Sequence, residues 1–380
     1  MHLKDVVPLT DSVESRVYID TDAALLAACE RWALAPFLAI DTEFIRTDTF
    51  YPIAGLLQVG ANSELYLIDP LPISDWSAFT ALLRRSDLPK VIHSCSEDLE
   101  VFQVLFQCIP QPLLDTQIGA ALAGMGAGLS YQKLVMDCLG IHVEKGETRS
   151  DWLRRPLSES QCVYAALDVL YLQRIYPILC QRLEKKGALA WWHEDCEVIT
   201  KQAEKPLIVT EYYQRIKSLW KLSGRQQYVL QILCAWRETE ARARNIPRGR
   251  VLKDAACFEI ARHAPSDNTQ LGRIKEISPG SVRRYGDAIV DLVSEGQAGG
   301  DGILPPPAPK PLTSSQTQHY KQMKAVAEQV ANELDVATEV FVKKRDIEEI
   351  IRTGLLPSTL STWRKPLIGN KLISLNEMKT

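Results

Sequence analysis

A chain of 380 residues, 46% apolar and 24% charged, exceeds one typical domain and has ample material for packed cores, so two or three soluble globular units are expected. No run approaches the roughly 18 consecutive apolar residues of a membrane-spanning helix. Met1-His2-Leu3-Lys4-Asp5 carries no basic segment leading into an apolar run, so neither a membrane partner nor a secretory leader is expected. Nine cysteines, an odd number with no C-x-x-C pair, suit reduced thiols in the cytoplasm better than a disulfide framework or a thiolate zinc site. The net charge of −3 conceals an asymmetry: residues 1–205 hold 18 Lys and Arg against 28 Asp and Glu, and residues 206–380 hold 26 against 19. A basic half suggests a polyanionic partner, and an acidic half working on the same polyanion would need divalent cations to offset its charge.

In chain order, Phe37-Leu38-Ala39-Ile40 reads as a buried strand ending at Asp41. Leu56–Val59 and Leu65–Ile68 flank a hairpin turn of Gly60, Ala61, Asn62 and Ser63; Lys90–His93 is a fourth strand and Pro112–Leu114 a short fifth. Helical patterns fall at Trp76–Arg85 and Ser96–Phe106, the second placing Leu99, Phe102 and Phe106 on one face. This alternation predicts an α/β domain with a mixed sheet over residues 1–205. From Ser158 the chain turns helical, with Val163, Leu167, Leu170 and Ile175 in register until Gly187 ends the helix. A helical domain without strands follows over 212–295. Glycines from Gly296 and prolines through Pro311 mark a linker at 296–314, and a last helical domain of similar length covers 315–375.

Three acidic motifs carry the chemistry. Asp41 and Glu43, two apart at a strand end, project from one face, where adjacent carboxylates repel unless a cation intervenes. Oxygen-only ligands favour Mg²⁺ or Mn²⁺. Asp98 follows the fourth strand in the first turn of a helix, with Ser96 as its expected N-cap. Tyr164 and Asp168, four apart, share one helix face amid alanines and leucine. Each motif alone has an ordinary alternative: surface charge, an acid favoured by a helix dipole, or a solvent-facing aspartate. His93 has the alternative of a satisfied strand-end histidine.

In this order and placement the motifs resemble the DEDD exonuclease superfamily, tyrosine subclass. The surrounding Leu56-Leu57-Gln58-Val59, Ser96-Glu97-Asp98-Leu99, Ser150–Leu157 and Tyr164–Leu172 resemble the ribonuclease D family within it. The resemblance spans about residues 15–205 and implies a ribonuclease H-like fold and two divalent ions. Asp41 would bridge the ions, Glu43 and Asp168 would bind the nucleophile-side ion, Asp98 would help hold the other, and Tyr164 would orient the attacking water. Nucleoside 5′-monophosphates would be released from the 3′ end of RNA. Trp152 and Arg155, with Arg154, follow the polar loop Lys145–Ser150 and would meet the substrate strand; packing of that loop is the alternative for Trp152.

Residues 212–295 resemble the helicase-and-RNase-D C-terminal (HRDC) domain through Leu230, Leu233, Trp236, Arg237, Glu238, Ala241, Asn245, Ile246, Pro247, Leu271 and Tyr285-Gly286. Arg242, Arg244, Arg248 and Arg250 cluster around a turn there and are the candidate phosphate contacts, against the alternative of an ordinary solvated turn. Residues 315–375 read as a second, divergent HRDC-like domain. The expectation is therefore a cytoplasmic 3′→5′ exoribonuclease trimming tRNA precursors and other small structured RNAs, with no obligate protein partner. A DNA exonuclease of the same superfamily and a non-catalytic RNA-binding protein with a retained nuclease fold are the competing readings.

Overall fold

The apolar run ending at Asp41 becomes β2 (Leu38–Ile45), a central strand of the single mixed sheet in the computed structural model, which describes residues 13–144, 146–147, 150–299 and 304–377. Lys145, Thr148 and Arg149 of the polar loop, and residues 300–303 of the linker, lie outside the described residues. With β2 stand β1 (Val17–Ile19), β3 (Ile53–Ala61), β4 (Glu64–Ile68), β5 (Lys90–Ile92) and β6 (Leu113–Asp115), in the order β1-β4-β3-β2-β5-β6. Strands β2, β3 and β4 form an antiparallel meander, and β1, β5 and β6 join in parallel. Strand β1 has only three residues, too few for a readable period, and was not among the expected strands.

Alternation along the strands sends Leu38, Ile40, Leu57 and Val59 to one face and Ala39 and Leu56 to the other. Helices α1 (Asp22–Trp32), α2 (Ser77–Arg84) and α3 (Asp98–Phe106) cover the first face with Leu25, Trp32, Phe79 and Phe102. Helices α4 (Thr116–Leu122), α5 (Tyr131–Leu139), α6 (Glu159–Lys185) and α7 (Leu189–Glu204) cover the second. Helix α6 begins with a reciprocal capping box between Ser158 and Gln161. By length and composition it would suit a membrane span, but Ala165, Ala166, Val169, Leu172 and Ile175 are buried in the core.

The compact units divide differently from the linear order. One comprises the described residues up to Ile45, Pro52–Lys205 and the chain from Leu312; the other comprises Arg46–Tyr51 and Pro206–Pro311. The second unit is helical: α8 (Gly224–Ala243), α9 (Arg248–Val251), α10 (Asp254–His263), α11 (Asn268–Gly272) and α12 (Pro279–Ala298) around Leu230, Leu233, Ile260, Leu271 and Ile289. The C-terminal helices α13 (Ser314–Glu333), α14 (Thr338–Phe341), α15 (Lys344–Thr353) and α16 (Asn370–Glu377) share the nuclease core instead of forming one of their own.

That docking has a polar and an aromatic clamp. Trp363 stacks on Trp191 with ring centroids 4.4 Å apart and planes 4° from parallel. Arg364 grips the Asp195 carboxylate with both terminal nitrogens, at 2.5 and 2.7 Å, and each side chain is only 10% exposed.

The two helical segments repeat one another. Helices α8, α9 and α10 have 20, 4 and 10 residues, as do α13, α14 and α15. Each of the second set begins 90 residues after its counterpart: Gly224 and Ser314, Arg248 and Thr338, Asp254 and Lys344. Both long helices open on a capping box, at Ser223 and Thr313, and both are followed by a left-handed residue at φ 49°, Asn245 and Asp335.

Asp195→Ala leaves the Arg364 charge buried without its partner, which costs on the order of 3 kcal/mol. The expected result is faster amide hydrogen exchange across residues 312–377, with the 206–299 segment unchanged. Equal exchange in the variant and the parent would show that the pair does not anchor these helices.

Candidate active site

Asp41 and Glu43 leave one face of β2, and the ladder to β3 shifts register immediately after Glu43: Glu43 pairs with Leu56, and Phe44 with Ala54. This bulge passes over Gly55, where an added Cβ would lie 2.6 Å from the Trp152 carbonyl oxygen, so only glycine fits. Asp98 is the first residue of α3. The turn delivering it is held by the Asp115 carboxylate, which accepts from the amides of Ser94 (2.9 Å), Cys95 (3.0 Å) and Gln117 (2.8 Å). Asp115 thus caps α4, as its position after an apolar run suggests, and also fixes the approach to Asp98. Ser96 is not the N-cap: Glu97 occupies that position without a side-chain cap bond, because the turn is secured from Asp115.

Asp168 and Tyr164 lie early in α6. The carboxylate oxygens of Asp41, Glu43 and Asp168 fall within 4.8 Å of one another. Asp98 is outside that trio, accepting a hydrogen bond from the Thr42 hydroxyl, yet its charge acts on both Asp41 and Glu43. Burial, then the charges of Asp168 and Asp98, holds the Asp41 carboxyl well above the usual carboxylate range. Burial, then Asp41 and Asp98, pushes Glu43 up to about 9. Burial pushes Asp98 up to about 7 against the opposing Thr42 bond, and burial with the Glu43 charge raises Asp168.

Among the described residues none of the four has an ion pair with lysine or arginine. Four converging carboxylates with no cationic side chain form an oxygen-only donor set that fits a hard divalent cation.

Tyr164 faces this cluster. Burial, then the charges of Asp168, Glu43 and Asp41, keeps its hydroxyl protonated, so it can hydrogen bond but not serve as a phenolate base. Tyr131, absent from the sequence reading, donates its hydroxyl to the Asp168 backbone carbonyl and steadies that turn of α6. His93 is committed on both sides, to the Thr116 hydroxyl at 2.9 Å and the Leu129 carbonyl at 3.1 Å, so it supplies no ligand.

Most of the residues expected at the RNA strand are occupied elsewhere. Trp152 is 2% exposed and packs beside Tyr164, with ring centroids 6.2 Å apart, so its ring supports the site and presents no stacking face. Arg155 bonds both oxygens of Asp69, the Gly55 carbonyl at 2.6 Å and the Trp152 carbonyl at 2.8 Å. In the helical unit, Arg242 and Arg248 both bond buried Glu238 and lie over the Phe50 ring, at 4.5 and 4.6 Å from its centroid. Burial alone would raise Glu238, but the two guanidiniums hold it below the ordinary range. Arg244 bonds the Tyr285 hydroxyl and Glu240. Arg242 and Arg248 are half-buried struts, whereas Arg244 is exposed and held by its two local partners.

Arg250 differs. It is 56% exposed, touches Asp48, and lines a cavity of about 580 Å³ with Ser278, Gly280, Ser281, Arg283 and Arg284 at the start of α12. Arg283 and Arg284 are exposed, and the sequence reading missed them although a Ser-Pro-Gly helix start precedes both.

A family profile described as 3′-5′ exonuclease matches residues 16–184, and the HRDC domain profile matches residues 226–293. A curated ribonuclease D of Pseudomonas paraeruginosa is 40% identical over 366 residues, covering 95% of this chain and 97% of that protein. The Escherichia coli ribonuclease D is 34% identical over 365 residues, 94% of this chain and 97% of its own. The crystal structure of the E. coli enzyme, described as an exoribonuclease involved in structured RNA processing, superposes with a TM-score of 0.90 at 33% identity, over 96% of this chain and 99% of that one.

The raised carboxyls set a pH signature. Their folded pKa values lie above the unfolded ones, so their protonated forms stabilise the cation-free fold. That contribution is fully present below about pH 4 and is lost as pH rises through about 7 for Asp98 and about 9 for Glu43. The thermal midpoint in EDTA should therefore fall between about pH 6 and pH 9, and excess Mg²⁺ or Mn²⁺ should offset most of the fall. Identical pH slopes with and without the cation would show that these carboxylates hold none.

Proposed function

The chain belongs to the ribonuclease D family and is a 3′→5′ exoribonuclease, and we propose that it trims the 3′ ends of structured RNAs, tRNA precursors among them, with two divalent cations, Mg²⁺ or Mn²⁺. The supporting observation is the convergence of Asp41, Glu43 and Asp168 within 4.8 Å beside a protonated Tyr164, on a chain 95% of which aligns with a curated ribonuclease D. In this reading Asp41, Glu43 and Asp168 would hold one cation, and Asp41 with Asp98 would hold a second. Bound there, the cations supply an activated water and neutralise charge on the phosphate.

The side chains do the rest. Tyr164, kept neutral, orients the attacking water through its hydroxyl while Trp152 supports its ring. Tyr131 and Thr42 fix the helix turn of Asp168 and the carboxylate of Asp98. Water adds to the terminal phosphorus, the bond to the neighbouring nucleotide's O3′ breaks, and a nucleoside 5′-monophosphate leaves. All nine cysteines are free thiols, which supports a cytoplasmic setting.

We assign RNA backbone contact to the cavity of Arg250, Arg283 and Arg284, since Arg242 and Arg248 converge on buried Glu238 and Arg244 bonds Tyr285 and Glu240. The dipole at the start of α12 adds to their positive field. We also read residues 312–377 as a second, divergent HRDC-like module, supported by the 20, 4 and 10 residue helix repeat.

Digestion of a 3′-extended structured RNA should give a one-nucleotide ladder and monophosphates that EDTA abolishes. Asp41→Asn and Asp168→Asn should be inactive while folded, and full activity in either would sink the mechanism. Tyr164→Phe should slow kcat roughly a hundredfold with KM little changed. Replacing Arg283 and Arg284 together by glutamate should weaken RNA binding and reduce its log–log salt slope by about one to two. An unchanged slope would place the RNA on another surface.

A further inference from the structure

Gln58 sits in the middle of β3, directly opposite Asp41 in the antiparallel ladder. Cross-strand partners share a face, so its amide lies on the same side of the sheet as the Asp41 carboxylate, with Ala39 and Leu56, under α6. This is the layer between sheet and helix, where an apolar side chain is the ordinary occupant. Gln58 is 0% exposed, and neither its Nε2 nor its Oε1 has a hydrogen-bond partner. Among the described residues no other side chain leaves two buried polar atoms unpartnered. In the same domain Trp32 and Trp152 each leave one indole nitrogen unpartnered, whereas the buried Lys90 ammonium donates to the carbonyls of Arg85 at 2.8 Å and Gln111 at 2.6 Å.

An amide enclosed in this way is costly unless another state of the protein uses it. The cation-loaded site is that state, because a hydrated divalent ion on Asp41 brings water protons and polarised carboxylate oxygens to the one face on which Gln58 opens. Glutamine suits the place better than an acid or a base: it offers two donors and an acceptor without adding charge to four crowded carboxylates.

We propose that Gln58 is a positioning residue of the cation site, its amide serving as the hydrogen-bonding partner of the Asp41 carboxylate and its cation-bound water. This rests on the cation-dependent reading of the nuclease. Partners of this kind fix a ligand's orientation, and their loss typically lowers metal affinity by about 10- to 100-fold.

The test is Gln58→Met, which keeps the length of the side chain and removes its hydrogen bonding. Mn²⁺ binding to the full-length protein, followed by electron paramagnetic resonance without RNA, should weaken about 10- to 100-fold. The thermal midpoint in EDTA should hold or rise, because an unpartnered amide has been removed. Exonuclease activity should fall at limiting Mg²⁺ and recover at high Mg²⁺, with the KM for RNA unchanged. Gln58→Leu provides the same measurements should methionine fail to pack. Mn²⁺ binding equal to the parent's in a folded variant would overturn the proposal and leave the nuclease reading intact. Absence of Mn²⁺ binding in the parent would overturn both.

Discussion

Four carboxylates brought onto one patch of a protein interior repel each other, and most of the nuclease domain can be understood as the apparatus that holds them there. At close range and reduced dielectric such repulsion would splay flexible side chains apart. The fold answers by taking each acid from a rigid element: two from a central strand, one from the first residue of α3, one from a long helix packed over the sheet. Each element is then pinned by a group that is not itself an acid of the cluster or does not point into it. Thr42 bonds Asp98, Asp115 holds the amides before it, and Tyr131 holds the Asp168 carbonyl. What remains unbalanced is charge, and a divalent cation is the species that balances it.

The same strand links chemistry to the helical unit through the covalent chain. Within a few residues of Glu43, β2 ends and residues 46–51 pass into the second compact unit. There the Phe50 ring packs against the guanidiniums of Arg242 and Arg248, and the Asn245 side chain accepts from the amides of Phe50 and Tyr51, both at 3.0 Å. Arginines that seemed placed for phosphate therefore hold a loop that continues the catalytic strand.

How much of this was legible depends on whether the partner is local. Asp41 with Glu43 and Tyr164 with Asp168 are set by strand and helix periodicity, so spacing alone places each pair on one face. The spending of Arg242 was legible too, since Glu238 lies four residues before it, as Glu240 does before Arg244. Trp152 is enclosed by Gly55 and Tyr164, residues far away in sequence that no local pattern connects to it. Gln58 carries no signal until the register sets it against Asp41. Tyr131 becomes a strut only because α5 reaches α6 across a loop.

The two helical segments share helix lengths and spacing but differ in the side chains they present. Where the first copy has Arg248 and Arg250 on its short helix, the second has Thr338 and Val340 at the matching places. The second segment thus has no counterpart of the Glu238-bound Arg248 or of the cavity's Arg250. It gains Trp363 and Arg364, which clamp α7 through Trp191 and Asp195. The left-handed turn residue docks in both: Asn245 on the 46–51 segment, and Asp335 on the Lys186 ammonium at the end of α6. The first segment packs around a core of its own, whereas the second packs into the nuclease core. With different charge and aromatic content, the first segment carries the proposed RNA surface while the second braces the end of the helix that bears Tyr164 and Asp168.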